Sequence, residues 1–210
     1  NAQGLVENVQ ILSSNLVQNG DFSEEGSEEV TNGDFSSNTD WSFIGDTIIQ
    51  NGVAEFPTST NSFLIQSNVV ALSVKTYKLQ YEVITTNGNN LRLIGGSSAF
   101  GTVDLDSATI GVKTIYIVSN GTNANLQFNN DNFIGSIDNV SVREVGQDWL
   151  LVNATIGNDL VLLDADSANS QITQSNLGST NSTSKLITFT TISSSDEVNQ
   201  ILRVSQNIAG

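Results

Sequence analysis

The side chains able to do chemistry in this chain are few, and most are carboxylates. Asp104-Leu105-Asp106 and Asp164-Ala165-Asp166 each set two acids on one face of an extended segment. A glycosidase needs its two carboxyls about 5–9 Å apart across a cleft, one with a raised pKa. Neighbouring carboxylates on a solvated strand edge do not supply that, and neither pair continues into the spacing of a calcium-binding helix–loop–helix. Gly95-Gly96-Ser97-Ser98 lacks the Lys and the helix of a phosphate-binding loop. With no His and no Cys, the usual nucleophile–base pairs and zinc sites are excluded, so the expectation is a protein that is not an enzyme.

Binding chemistry has more candidates. Phe63, Phe100 and Phe133 stand in Gly-, Ser- and Asn-rich contexts and read as loop aromatics able to touch a glycan or a neighbouring subunit. Arg92, one of seven cations, lies beside Asn89 and Asn90. It could donate a two-pronged set of hydrogen bonds to a sugar hydroxyl or carboxylate, or pair with one of the many acids. Trp41 offers an indole face to a sugar ring. Its partner Trp149 follows an Asp at the same place in a repeat, and a large aromatic recurring at one position more commonly fills a core.

The balance of 22 acidic and 7 basic residues, a net −15, lacks the basic footprint that nucleic acid requires and repels anionic lipid. It suits solubility, or calcium binding by some of the carboxylates. No apolar run approaches the ~18 residues of a spanning helix, so no membrane insertion is expected. The absent initiator Met fits a processed chain or part of a longer one.

These residues must be positioned by strands. Helical periodicity is nearly missing; short Val-, Ile-, Thr-, Phe- and Tyr-rich runs alternate with Asn, Gly, Ser and Asp clusters, which indicates an all-β sandwich or barrel. The clearest strands are 77–86, 91–94, 112–118, 125–128 and 134–144. Asn-Gly at 19–20, 32–33, 51–52, 87–88 and 120–121 marks turn candidates.

Two repeats organise the chain. Asp40-Trp41 recurs as Asp148-Trp149 and Gln66-Ser67-Asn68 as Gln174-Ser175-Asn176, both at one and the same sequence offset; Lys78-Leu79 matches Lys185-Leu186 one position short of it. More locally, Asn19-Gly20-Asp21-Phe22 returns a short way on as Asn32-Gly33-Asp34-Phe35. Val6-Glu7-Asn8-Val9-Gln10-Ile11 resembles the core of Gly135–Val145. The division read from these repeats is 1–13, the closing strand of an earlier module; 14–27, a stub and solvated acidic linker; 28–145, a complete module; and 146–210, the first half of another. A half sandwich leaves an open apolar face, so the chain is expected to continue or to be completed by a partner's strand.

The runs at 15–22 and 29–35, with Asp40-Trp41, Asn51-Gly52-Val53, Thr76-Tyr77-Lys78-Leu79 and Ile137-Asp138-Asn139-Val140-Ser141-Val142, together resemble carbohydrate-binding-module-like jelly rolls. These are galactose-binding-like sandwiches of the CBM 4/9/22 type. The run from Asp138 through Trp149 is similar to tandem modules of bacteriophage structural and fibre proteins. The 16–22 copy departs from the pattern in lacking a following Trp.

The resemblance implies tandem antiparallel jelly-roll modules and a structural calcium between the first and last strands. Its ligands would be Asp34 and Asp138, with Asp40 a weaker third; without calcium, Asp34 makes a local turn bond and Asp138 caps a strand end. It further implies a non-catalytic structural and adhesion section of a virion fibre or decoration protein, outside the cell. Expected partners are copies of itself, a trimer foremost, other virion subunits and a cell-surface polysaccharide. Two other classes stay open: an extracellular bacterial adhesin or filament subunit completed by strand exchange, and the binding modules of a secreted polysaccharide-degrading enzyme.

Overall fold

The computed structural model describes residues 17–94, 98–163 and 170–174; these belong to a compact unit, Asn1–Leu177, and a further unit, Gly178–Gly210, lies outside the described residues. The strands are β1 (Glu25–Glu28), β2 (Ser42–Ile44), β3 (Ile48–Gln50), β4 (Val53–Phe56), β5 (Phe63–Gln66), β6 (Thr76–Thr86), β7 (Arg92–Leu93) and β8 (Val103–Asp104). They continue with β9 (Gly111–Val118), β10 (Leu126–Asn129), β11 (Gly135–Val145), β12 (Leu150–Val152), β13 (Ala154–Gly157), β14 (Leu160–Leu163) and β15 (Gln171–Thr173). There is no helix among the described residues.

Two antiparallel sheets face each other as a β-sandwich. One has the order β3-β4-β11-β6-β9 with β1 also paired to β11; the other runs β2-β5-β10-β7-β8. The long strands form because their sequence alternates. In β6, Tyr77, Leu79, Tyr81 and Val83 are buried and the residues between them are not fully so, the period of a strand with one wet face. They meet Leu64, Leu93 and Phe128 of the opposite sheet in one core. Each large side chain fully buried there contributes roughly 1.5–3 kcal/mol. The buried phenols keep partners: Tyr81 donates to the Asp106 carbonyl at 3.0 Å and Tyr77 accepts from the Ala71 amide at 3.3 Å.

Turn chemistry sets the register. Asn51 and Gly52 have φ of 52° and 75°, the paired positive values of the two-residue turn that matches strand twist, and they join β3 to β4. Strand β11 carries a bulge. Its pairing with β6 steps from Asp138↔Glu82 to Ser141↔Gln80, with Asn139 at φ 50°. The bulge frees the Val140 amide from the ladder, and it donates instead to the Gly33 carbonyl at 2.9 Å. Gly33 has to be Gly, because a Cβ there would overlap the Val140 carbonyl oxygen.

The five strands read from the sequence correspond to β6, β7, β9, β10 and β11. Part of the acidic stretch read as a solvated linker forms a mostly exposed strand. Glu25–Glu28 is strand β1, antiparallel to the end of β11 with Glu28 opposite Arg143. The carboxylates are neutralised by cations brought from afar in sequence: Glu25 by Lys78 at 2.5 Å, Glu28 by Arg143 at 3.4 Å. Glu28 also accepts from the Val30 and Val142 amides at 3.0 and 2.8 Å. The chain thus enters and leaves the sandwich side by side.

Beyond β11, β12 pairs with β15 and β13 with β14 as two small antiparallel sheets. Both repeat pairings of the sandwich. Leu150↔Thr173, Leu151↔Ile172 and Val152↔Gln171 copy Ser42↔Ile65, Phe43↔Leu64 and Ile44↔Phe63, shifted by the offset that carries Trp41 to Trp149. The β13–β14 turn, Asn158-Asp159 with φ of 51° and 58°, is the counterpart of Asn51-Gly52 in the second copy.

Candidate functional site

Directly opposed residues of an antiparallel sheet point to the same face. Across the five-stranded sheet, Ile44, Phe63, Asn129, Arg92 and Asp104 form one continuous row. The neighbouring row of Phe43, Leu64, Phe128, Leu93 and Val103 includes the core residues Leu64, Phe128 and Leu93, so the first row is the outer one. Two of the aromatic and cationic candidates, Phe63 and Arg92, are therefore brought together from separate strands. Ile44 is exposed and Phe63 half-buried. Together they make an apolar strip that ends in an amide and a charged fork.

The fork is already engaged. Arg92 Nε lies 2.5 Å from Asp104 and its second nitrogen 2.8 Å from Asp131, the ion-pair alternative for this residue. Asn129 Nδ2 donates to Asn61 Oδ1 at 2.6 Å and to the Ser62 carbonyl at 3.1 Å. These bonds occupy the polar end of the row. Its remaining capacity is stacking and van der Waals contact along Ile44 and Phe63, beside one guanidinium shared by two carboxylates.

Phe100 and Phe133 do not sit on exposed loops. Phe133 is fully buried, edge-on to Phe56 with centroids 5.8 Å apart, and Phe100 is 6% exposed, edge-on to Tyr77 at 5.9 Å. Their small, polar neighbours let the loops fold over the sandwich and insert the ring. Gly135, for example, runs against the Thr85 carbonyl and the Phe133 ring with no space for a Cβ. Neither ring is available to a glycan.

The three candidate calcium ligands each accept a local hydrogen bond. Asp34 accepts from the amide and hydroxyl of Ser36 at 3.2 and 3.0 Å, a local turn. Asp138 accepts from the Asn139 amide at 2.7 Å and Asp40 from the Thr39 hydroxyl at 2.8 Å. Asp138 and Asp34 are close enough to sense each other. The Asp138 carboxyl is raised above its ordinary pKa, first by burial and then by the charges of Glu82 and Asp34. Among the described residues, no group of three or more acids is placed to hold a metal ion.

A second constellation is built from the repeats. At Asn32–Phe35 the Phe35 amide donates to the Asn32 carbonyl, and Trp41 Nε1 donates to the same oxygen at 3.0 Å. Phe35 packs on Trp41 with centroids 5.3 Å apart, and Gln66 exchanges two hydrogen bonds, 2.9 and 2.7 Å, with the Thr31 backbone. This clasp ties the entry turn to the sandwich, and Trp41, 5% exposed, is core as its recurrence indicated.

The same clasp is made again by Asn19–Phe22. Its partner is Trp149, which donates to the Asn19 carbonyl at 3.0 Å and lies 5.3 Å from Phe22. Gln174 exchanges bonds of 3.0 and 2.9 Å with the Gln18 backbone. The stub at 14–27 therefore has its Trp after all, beyond the complete sandwich in the sequence. Sequence reading marks Gln66 and Gln174 only as repeat positions. Combining the short and the long repeat offsets would assign their partners, since Gln18 stands to Thr31 as Asn19 does to Asn32.

A cleft of about 680 Å³ lies between the β6–β9–β11 end of the sandwich and the small sheets, lined in part by Val74, Lys75, Glu144, Trp149, Leu150 and Leu163. Lys75 and Glu144 pair across 2.6 Å at its wall.

No protein-family model matches this chain, and a search of curated proteins gives no match. What the residues define is an all-β, sandwich-forming chain that makes one clasp twice.

Proposed function

We propose that this chain is a non-catalytic structural and adhesion section of a virion fibre or decoration protein, built from jelly-roll modules and working outside the cell. The observation that carries this reading is the clasp made twice by one chain, with the same turn, Trp and Gln in the same bonds. A repeated module stacked along a rod reuses one set of contacts, because each copy buries surface against its neighbour. The antiparallel pairing of β1 with the end of β11 supports it further, since a double-stranded entry holds a module at a fixed angle better than a single flexible strand. Copies of the chain, in a trimer foremost, and other virion subunits are its partners in assembly. The Ile44–Phe63 strip is the surface offered to host glycans, weak at each module and strengthened by multivalency.

The test is immunogold electron microscopy with antibodies raised against the full chain. Label on fibres or capsid surfaces of purified particles is the expected result. Label on bacterial surfaces with none on particles turns the reading to an adhesin. For the glycan surface, Phe63→Ala in the full chain should abolish retention on host-envelope polysaccharide without lowering Tm by more than a few degrees.

A further inference from the structure

Asn followed by Gly can lose ammonia spontaneously, because Gly puts no Cβ in the way of its own nitrogen. That backbone nitrogen attacks Cγ of the Asn. An N–C bond forms, the Cγ–Nδ2 bond breaks, and Nδ2 leaves as ammonia with the proton that the Gly amide gives up. Water then opens the five-membered imide at either carbonyl, leaving aspartate or isoaspartate. The side-chain amide must be free to turn onto the next nitrogen, since reaction needs that near-attack geometry.

The chain holds Asn-Gly at 19–20, 32–33, 51–52, 87–88 and 120–121, and the fold restrains four of the five. Asn32 Nδ2 donates to the Ser37 and Thr39 carbonyls at 2.8 and 2.9 Å, and its Oδ1 accepts from the Ser37 amide at 3.2 Å. Asn87 Nδ2 donates to the Asn132 carbonyl at 3.0 Å, while Oδ1 accepts from the Asn89 and Ile134 amides at 3.2 and 3.1 Å. The Gly88 amide, which would attack, is itself tied to the Thr86 hydroxyl at 3.0 Å. Asn120 donates to the Ser98 carbonyl at 2.9 Å and accepts from the Thr122 and Asn123 amides at 2.9 and 3.0 Å. Asn19 is 5% exposed, and its Oδ1 accepts from the Glu24 amide at 3.0 Å.

Asn51 differs from all of these. It is the exposed first residue of the turn between β3 and β4, where the ladder ends at Gln50↔Val53 and leaves Gly52 outside it. Its side chain enters no hydrogen bond among the described residues, and nothing stands within 4 Å of where a Gly52 Cβ would lie.

We propose that Asn51 is the site at which this protein deamidates first, with water as the reactant. The product acts on the fold. Isoaspartate routes the main chain through the former side chain and lengthens it by one carbon, in a two-residue turn whose φ values of 52° and 75° match the strand twist. Strand β3 is the terminal strand of its sheet and holds Ile49, 7% exposed, in the core. Conversion loosens that edge and marks aged copies of the protein.

The test keeps the full chain at mildly alkaline pH, native and in parallel in urea, and follows each Asn-Gly by peptide mapping with isoaspartyl methyltransferase labelling. In the native chain the peptide holding Asn51 should convert roughly tenfold or more ahead of the other four, because their hydrogen bonds must break together before the amide can turn. In urea the five rates should converge. Another pair converting first in the native chain, or no pair converting ahead of the rest, overturns the proposal. Asn51→Asp adds the charge without the extra backbone carbon and should keep Tm within a few degrees. The converted native fraction, separated by anion exchange, should melt lower than Asn51→Asp; an equal Tm overturns the effect on β3.

Discussion

The turn at Asn32–Phe35 and the turn at Asn19–Phe22 have nearly the same backbone, with φ of 52° and 44° at the Asn and 47° and 58° at the Phe. Each places a carbonyl under an indole N–H at 3.0 Å. Around the first, both rings are buried, Phe35 and Trp41, and Asn32 Nδ2 donates to the Ser37 and Thr39 carbonyls at 2.8 and 2.9 Å. Around the second, Phe22 and Trp149 are half-buried, and Asn19 Nδ2 is buried with no hydrogen-bond partner. The difference teaches that the short motif encodes the turn and its hydrogen bonds, while burial is conferred by the strand laid across it. Only the first turn has β11 laid across it among the described residues.

Breaking the clasps at their aromatic centre should separate them most. Trp41→Ala removes a core indole and should cost about 3–5 kcal/mol; Trp149→Ala, at a half-buried site, should cost less than half of that. Chemical denaturation followed by far-ultraviolet circular dichroism measures both without relying on indole fluorescence. Gly33→Ala comes next, at about 1–3 kcal/mol, since either the bulge or the turn must shift to admit a methyl group.

The glutamines sharpen the comparison further. Gln66 is 5% exposed and satisfies both backbone groups of Thr31, so Gln66→Ala should cost about 1–3 kcal/mol in lost and unsatisfied bonds. Gln174→Ala, whose bonds to Gln18 are exposed, should cost about 0.5 kcal/mol at most, because water replaces them.

The smallest effect has the opposite sign. Asp138 stands directly across from Glu82, an arrangement that destabilises by a few tenths of a kcal/mol to about 1 kcal/mol. Because burial first, and then Glu82 and Asp34, raise its folded pKa, the group's favourable contribution is complete below the unfolded value of about 3.9 and lost as pH rises through the folded one. Asp138→Asn should therefore stabilise the fold by about 0.5 kcal/mol at pH 7 and by nothing at pH 3. Denaturation midpoints at the two pH values decide it. A loss of stability on the same substitution, dependent on added calcium, would mean that a cation does bridge these carboxylates.

Part of this architecture is legible in the residues. The alternation of Tyr77, Leu79, Tyr81 and Val83 specifies a half-buried strand, Asn51-Gly52 specifies a hairpin turn, and the recurrence of Trp41 as Trp149 points to a core position. The candidate site is legible in pieces. Phe63 and Arg92 stand out singly, but their shared row follows from the pairing of β10 with both β5 and β7, and Ile44 joins it with no signal of its own. Phe100 and Phe133 mislead because a polar loop is assigned to solvent by composition, whereas burial depends on what the loop folds over.

By itself, then, the sequence determined what is local: strand periodicity, turn conformation, the absence of thiol and imidazole chemistry, and the presence of two copies of one motif. These depend on residues a few positions apart, whose interactions are repeated in every copy. Tertiary structure alone decided which Trp serves which turn and whether Glu25–Glu28 is linker or strand. Those choices join residues far apart along the chain. Closing such a loop costs only logarithmically more as it lengthens, so sequence distance barely limits the pairing, and the fit of side chains in the assembled sheets selects it.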